Sequence, residues 1–337
     1  MPTLAFSDIE SAQRAIAEVA LRTPLIAAPD LSRKLGCELL LKLESLQPVG
    51  AFKLRGAANA MAKLPANTSG VTCCSTGNHG RAVAYSAKSL GMRAVICMSE
   101  LVPKAKVDGI RKLGAEVYIR GRSQDDAQEE CLRLAAAEGL VEIPPFDHPD
   151  VIAGQATMAV EMLEDRPDIE TLLVPLSGGG LAAGVAFAAK TIKPGIEVIG
   201  VSMDRGAAMH DSLKAGRPVA VTEVASLADS LGGGIGLENR HSFPLCRDYL
   251  DKVVLVTEDE IYSAMQALYF EERLVAEGAC VVGIAAMMAG KLTRLNAPVA
   301  TIITGRNVDM DTFAAVVAGR DVLLGDVTIN GKAYDHG

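Results

Sequence analysis

Apolar side chains near the start of the chain recur at intervals of three and four. Over residues 8–21 this spacing predicts an amphipathic helix, with Asp8 as its cap. The pattern then changes, because ELLLKLE (38–44) is a short apolar run that predicts a strand. From residue 71 short apolar runs and amphipathic stretches alternate. VTCCST, a helix from about Arg81 to Leu90, RAVICMS, a helix around Val107 to Leu113, AEVYIR and a helix through DDAQEECLRLAAAEG follow one another. The alternation restarts at DVIAGQATMAVEML and runs through TLLVPL, LAAGVAFAAKTI, EVIGVSM, KVVLVT, EDEIYSAMQALYFEERL, GACVVGIAAMMAGKL and VATIIT. Strand and helix in alternation predict parallel sheets with right-handed crossovers. Two such units with no Pro/Ser-rich linker between them predict closely packed lobes and a site in the cleft. LLGDVTINGKAYDHG has too little apolar periodicity to assign.

Composition narrows the class. The chain has 337 residues, 49% hydrophobic and 22% charged, enough for a sizeable core and against disorder. A net charge of −8 with scattered basic residues argues against nucleic acid as a partner. The first twenty residues lack the pattern of a secretory signal, and no apolar run is long enough to span a bilayer, so a cytoplasmic location is expected. Seven cysteines without metal-ligand spacing are expected to be reduced core residues. No tryptophan and 4% aromatics leave no stacking platform for bases or sugars.

Three loops and one lysine carry the candidate chemistry. SGGGLAAG (177–184) lies between a strand and a helix, where glycine N–H groups and the helix N-terminus can cradle an anion. It has neither the Walker order nor G-x-G-x-x-G. STGNHGRA (75–82) has the same placement and offers hydroxyls, an amide, an imidazole and N–H groups to a carboxylate; the alternative is a capped helix with a structural His79. In TIITGRNVD, Thr304 and Asn307 end a buried-looking strand, where open α/β sheets place ligand contacts; taken alone the motif reads as an ordinary strand-ending turn. Lys53 sits in QPVGAFKLRGAANA (47–60), framed by a Pro48/Gly50 turn and by Phe52 and Leu54. A lysine acts as nucleophile or base near neutral pH only when desolvated or beside a cation, and Arg55 is the cation nearby in sequence.

AFKLRGA, STGNHG, VIAGQ, SGGGL and TGRNVD together, in this order, resemble the fold type II pyridoxal-phosphate enzymes, over about residues 8–320. Within them the chain is most similar to the serine/threonine dehydratase and serine racemase group. The resemblance implies an α/β, tryptophan synthase β-like fold with two open twisted, mostly parallel sheets flanked by helices. The cofactor, pyridoxal 5'-phosphate, would lie in the cleft between a large domain (residues 1–50 and 151–325) and a small mobile domain (51–150), with 326–337 as a tail. It further implies that Lys53 forms the Schiff base, Phe52 packs beside the ring, and Asn78 contacts the ring hydroxyl. Gly178, Gly179, Gly180 and Leu181 would hold the phosphate, Thr304 would face the pyridine nitrogen, and Ser75, Thr76, Asn78 and His79 would receive the substrate carboxylate. A neutral hydroxyl at the ring nitrogen suits β-elimination better than a long-lived carbanion. Lys53 is then the base at Cα, and the cofactor phosphate or Thr76 is the acid for the leaving hydroxyl. A homodimer is the family expectation.

Four departures from the family shape the substrate reading. Ala51 stands where most relatives have serine, and Thr76 where serine racemases carry a second acid/base serine. Ser202 and Ala208 replace two carboxylate ligands of a divalent cation, so Mg²⁺ is doubtful even with Asp204, Asp211 or Glu277 at hand, and no metal ligand is assigned. Residues 228–243, with Gly232, Gly233, Gly234 and Gly236, look like the hydroxyectoine-utilisation and 3-hydroxyaspartate dehydratase branch. Arg306 and Arg81, ahead of Arg120, Arg122 and Arg240, are the candidates to grip a second substrate carboxylate. The expected substrate is thus 3-hydroxyaspartate-like or a hydroxyectoine-derived hydroxy amino acid. Alternatives are L-threonine or L-serine dehydration, serine/aspartate-type racemisation, a cysteine-synthase-like replacement, a nucleotide-binding protein, or a silent cofactor-binding protein. With no regulatory domain after the catalytic unit, a catabolic role is expected.

Overall fold

The computed structural model describes every residue except 1–3, 76, 101, 103, 123, 293, 326, 336 and 337, together with the side chains of all but 105, 106, 124 and 125 among them. The strands are β1 (Leu25–Ala27), β2 (Leu39–Lys42), β3 (Val71–Cys74), β4 (Ala94–Met98), β5 (Glu116–Ile119), β6 (Val141–Glu142), β7 (Thr171–Pro175), β8 (Glu197–Met203), β9 (Lys252–Val256), β10 (Val299–Ile302), β11 (Val322–Leu324) and β12 (Val327–Ile329). The helices are α1 (Phe6–Ile16), α2 (Pro29–Leu35), α3 (Lys53–Ala62), α4 (Asn78–Ser89), α5 (Lys104–Lys112), α6 (Gln124–Glu138), α7 (Pro149–Asp165), α8 (Gly180–Ile192), α9 (Ala208–Ala215), α10 (Ser242–Tyr249), α11 (Glu258–Glu272), α12 (Val282–Met288) and α13 (Met310–Val317).

They form two main sheets. One runs β1-β2-β10-β7-β8-β9 and is parallel except for the β1–β2 pair; the other, β5-β4-β3-β6, is parallel throughout. Side chains alternate across the six-stranded sheet, so Leu40, Leu172 and Val174 enter one apolar cluster while Leu39, Leu41 and Leu173 enter another on the opposite face. A third cluster packs α3 and α4 onto the four-stranded sheet. Helices α3 and α7 come close because glycines face each other: a Cβ on Gly154 would lie 2.5 Å from the Arg55 carbonyl oxygen. No helix among the described residues is long and apolar enough to cross a membrane.

Two expectations need correction. Asp8 does not cap α1; it lies inside the first turn, and its carboxylate accepts the Ala5 N–H at 2.9 Å. The unassigned segment after residue 320 holds the β11–β12 hairpin, whose Val322 and Ile329 are buried. Five cysteines are buried as expected, whereas Cys37 and Cys74 are half-buried; none forms a disulfide.

Candidate active site

Lys53 opens α3, and its amine reaches the carbonyl oxygen of Pro145 at 2.6 Å. The side chain is half-buried, reachable from the cleft yet enclosed by protein, and burial brings the amine from 10.5 down to about 8. The Phe52 ring lies beside it, 5.4 Å from centroid to Nζ. Both line a cavity of about 480 Å³ that also takes in Ser75, Asn78, His79, Gly178, Gly179, Gly180, Leu181 and Thr304. The chain therefore gathers most of the residues named from sequence into one space. Thr76 lies outside the described residues.

Arg55 does not act as the cation beside Lys53. Its side chain turns away into a buried cluster, donating to Glu44 at 2.8 and 2.9 Å and to Glu161 at 2.6 and 2.9 Å. Lys42 adds a second cation there, 2.5 Å from Glu161. Burial opposes the charge on Glu44, but Arg55 holds that carboxyl below its usual range. Two cations and two carboxylates thus neutralise each other beneath α3. Lys53 owes its lowered value to burial alone.

Two helix N-termini face the cavity. Gly179 caps α8 at φ +90°, a conformation that disfavours a side chain. The N–H groups of Gly178 to Ala182 donate to no protein acceptor among the described residues, which leaves them for an anion. The Ser242 hydroxyl donates to the Gly178 carbonyl at 2.7 Å and holds the loop from behind. Helix α4 begins at Asn78 without a side-chain cap, and its first N–H groups beside Ser75 have no acceptor among the described residues. The donor sets fit a phosphate at one helix and a carboxylate at the other.

Thr304 is buried; its hydroxyl lies 3.2 Å from Cys280 Sγ, and its carbonyl accepts the Phe52 N–H at 2.9 Å. Ala51 pairs with Gly305 in an isolated bridge and is itself fully buried, so an apolar residue is accommodated there. Gly232, Gly233 and Gly234 line the opposite wall with Glu223, Asp229 and Ser230.

The arginines are elsewhere. Arg306 is exposed, with its Cγ near Gly50, and Arg81 reaches toward Gly109 of α5; neither lines the cavity. Arg240 pairs with Glu238 at the surface, and Arg120 and Arg122 are exposed. Arg81 and Arg306 sit in site motifs, yet a helix or turn sends neighbouring side chains in different directions. Among the described lining residues Lys53 is the one cation. Nor do three or more His, Cys, Asp or Glu side chains gather as a metal cluster among the described residues.

Two features escaped the sequence reading. Glu277, which the sequence suggests only as a cation ligand, accepts from Asn78, Asn307 and Ser230. The segment IPPFD (143–147) is the other. Ile143 and Pro145 carbonyls meet His79 and Lys53, and Phe146 packs against the glycine loop, where a Cβ on Gly178 would lie 2.4 Å from its ring. The Asp147 carboxylate accepts the N–H groups of Arg240, His241 and Ser242. Consecutive prolines before a phenylalanine are the only local sign of it.

Known proteins resemble this chain. A family model for "Pyridoxal-phosphate dependent enzyme" matches residues 16–305. A protein of Sinorhizobium fredii provisionally named threonine dehydratase is 52% identical over 321 residues, spanning 95% of this chain and 97% of that protein. The L-threo-3-hydroxyaspartate ammonia-lyase of Saccharomyces cerevisiae is 35% identical, over 94% of this chain and 97% of its own. The structure of maize serine racemase matches with a TM-score of 0.87 at 31% identity, over 94% of this chain and 97% of that one.

Proposed function

The chain belongs to the pyridoxal-phosphate dependent enzymes, of fold type II, and from that premise we propose that it deaminates a 3-hydroxy amino acid to a 2-oxo acid and ammonia. The observation that carries this reading is the convergence of a depressed lysine amine and two open helix N-termini on one cavity. When bound, pyridoxal phosphate supplies the aldehyde that takes an amine and the ring that draws electrons from Cα.

The remaining work falls to side chains of this protein. The N–H groups of Gly178 to Ala182 would hold the phosphate, and those opening α4 would hold the substrate carboxylate with Ser75. The Lys53 amine would hold the cofactor and, when free, would serve as the base at Cα. At about 8 it is close enough to neutral pH to lose and regain a proton quickly. The Thr304 hydroxyl would offer the cofactor a neutral partner without a negative charge, which suits β-elimination of the substrate's hydroxyl. Water lost with that hydroxyl is returned when the product imine is hydrolysed, so one amino acid gives one 2-oxo acid and one ammonia.

The lining also bears on the substrate. Among the described lining residues Glu223 is a carboxylate whose like charge opposes a second substrate carboxylate. That favours a 3-hydroxy amino acid with a neutral side chain, such as L-threonine or L-serine, or one carrying an amine, as a hydroxyectoine-derived substrate would. The yeast relative's name keeps L-threo-3-hydroxyaspartate as the second reading.

The test is the release of 2-oxo acid and ammonia by purified protein with L-threonine, L- and D-serine, the 3-hydroxyaspartate stereoisomers and a 3-hydroxy-2,4-diamino acid. Turnover of the neutral or amine-bearing substrates is expected. Activity confined to 3-hydroxyaspartate would overturn the side-chain assignment, and serine inversion without ammonia would overturn the elimination.

A further inference from the structure

Behind the glycine loop lies a second cavity, of about 380 Å³, formed by α9, α10 and the start of β9. Cavities that hold small molecules begin at about 300 Å³. Half-buried Leu213, Leu250 and Val253 supply its apolar surface and pack against the cluster that also holds Leu181 of the glycine loop. Exposed Lys214, Arg247 and Lys252 stand around it, and His210 completes the polar side. This cavity shares no lining residue with the catalytic one, yet a single side chain joins the two. Cys246 lines the second cavity, and its thiol donates to the carbonyl oxygen of Gly179 at 3.6 Å.

Among the described residues no carboxylate lines this cavity, although the whole chain carries a net charge of −8. The cations differ in what already balances them. Lys252 is 3.0 Å from Glu197, and Arg247 spends both Nε and Nη2 on Asp248, at 2.7 and 3.2 Å. His210 Nδ1 meets Asp211 Oδ1 at 3.1 Å. Lys214, in the last turn of α9, makes no ion pair or hydrogen bond with a described residue. One uncompensated ammonium beside an apolar surface suits one negative charge on a short hydrocarbon. A phosphate dianion fits less well, because the arginine fork that would grip it is already taken by Asp248.

We propose that this cavity is a second binding site, for a small aliphatic monocarboxylate. Its carboxylate pairs with Lys214, and its hydrocarbon end covers Leu213, Leu250 and Val253. The ion pair is open to solvent, so apolar burial supplies most of the affinity while the charge sets orientation and selects acid over neutral analogue. The occupant rests one side chain behind the loop assigned to the cofactor phosphate. The site does not depend on the reaction proposed above, since binding needs neither substrate nor turnover.

Isothermal titration of the pyridoxal-phosphate-loaded protein with hexanoate, and in parallel with hexanamide, tests the proposal. Hexanoate is expected to bind with a Kd of about 1 mM or below, and the uncharged amide about 5-fold more weakly. Lys214→Gln should weaken hexanoate about 5-fold and leave the amide unchanged, so that the preference for the acid disappears. Ammonia release should be unchanged in that variant. Methyl NMR during the titration should show shifts at Leu213, Leu250 and Val253. Hexanoate affinity that survives in Lys214→Gln, with shifts at the catalytic cavity instead, would place the carboxylate at the α4 N-terminus and overturn the site. Equal affinity for acid and amide would leave only an apolar groove, and no binding of either at about 20 mM would leave only surface relief. Either result overturns the proposal.

Discussion

The Asn78 side chain donates through Nδ2 to both carboxylate oxygens of Glu277, at 3.0 Å each, and so ties the first residue of α4 to the opposite side of the cleft. Asn78 Oδ1 accepts from Asn307 Nδ2 at 2.7 Å, and Glu277 also accepts the Asn307 N–H at 2.9 Å. Donors and acceptors match at every contact, so the Asn78 amide has one orientation. Burial raises the Glu277 carboxyl, while Asn78 and Asn307 pull the other way.

Glu277→Gln should weaken cofactor binding by about 10-fold, because its amide would set a donor against Asn78 Nδ2 and disturb the α4 N-terminus. Fluorescence titration of the cofactor-free protein measures this. Unchanged affinity would show that Asn78 needs no partner.

Lys53 gives a pH dependence of defined sign. Below pH 8 the amine is protonated in both folded and unfolded chains, so the folded state bears the full desolvation cost. Between about 8 and the ordinary 10.5 the folded form sheds its proton first, and stability rises with pH. Cofactor-free Lys53→Met should therefore melt higher than the wild type at pH 7, by roughly 1–2 kcal/mol after allowance for solvent in the cleft. The gap should close toward pH 10.5. A gap independent of pH would point to packing instead of charge.

Arg55→Met should destabilise the fold by about 3–5 kcal/mol, since Glu44 and Glu161 would lose their shared partner in the interior. Arg55 lines no part of the cavity, so the loss should appear in chemical denaturation of the cofactor-free protein. A change under about 1 kcal/mol would mean that water or rearrangement compensates the carboxylates.

Gly179→Ala tests the anion cradle. Its φ of +90° disfavours any Cβ, and that atom would lie 2.5 Å from Met209 Cε. Phosphate affinity should fall about 10-fold or more while far-UV circular dichroism stays unchanged. Full affinity would place the phosphate elsewhere.

What could be read from sequence was whatever lies within one continuous stretch. Lys53, the 177–184 loop and Thr304 announce themselves through local apolar framing, glycines or a strand end, and all three meet at the cavity. Glu277 and Pro145 could not be found that way, because their partners lie 199 and 92 residues distant. Arg81 and Arg306 misled for the related reason that membership in a motif does not fix where a side chain points. The β11–β12 hairpin alternates correctly, but three residues per strand are too few to distinguish from a loop.

The central claim is that Lys53 is the amine that holds the cofactor. Borohydride reduction of the pyridoxal-phosphate-loaded protein, followed by peptide mass spectrometry, tests it directly. The phosphopyridoxyl mass is expected on the peptide containing Lys53 and nowhere else, and Lys53→Met should show none. Labelling of another lysine in the wild type, or of none, would contradict the account.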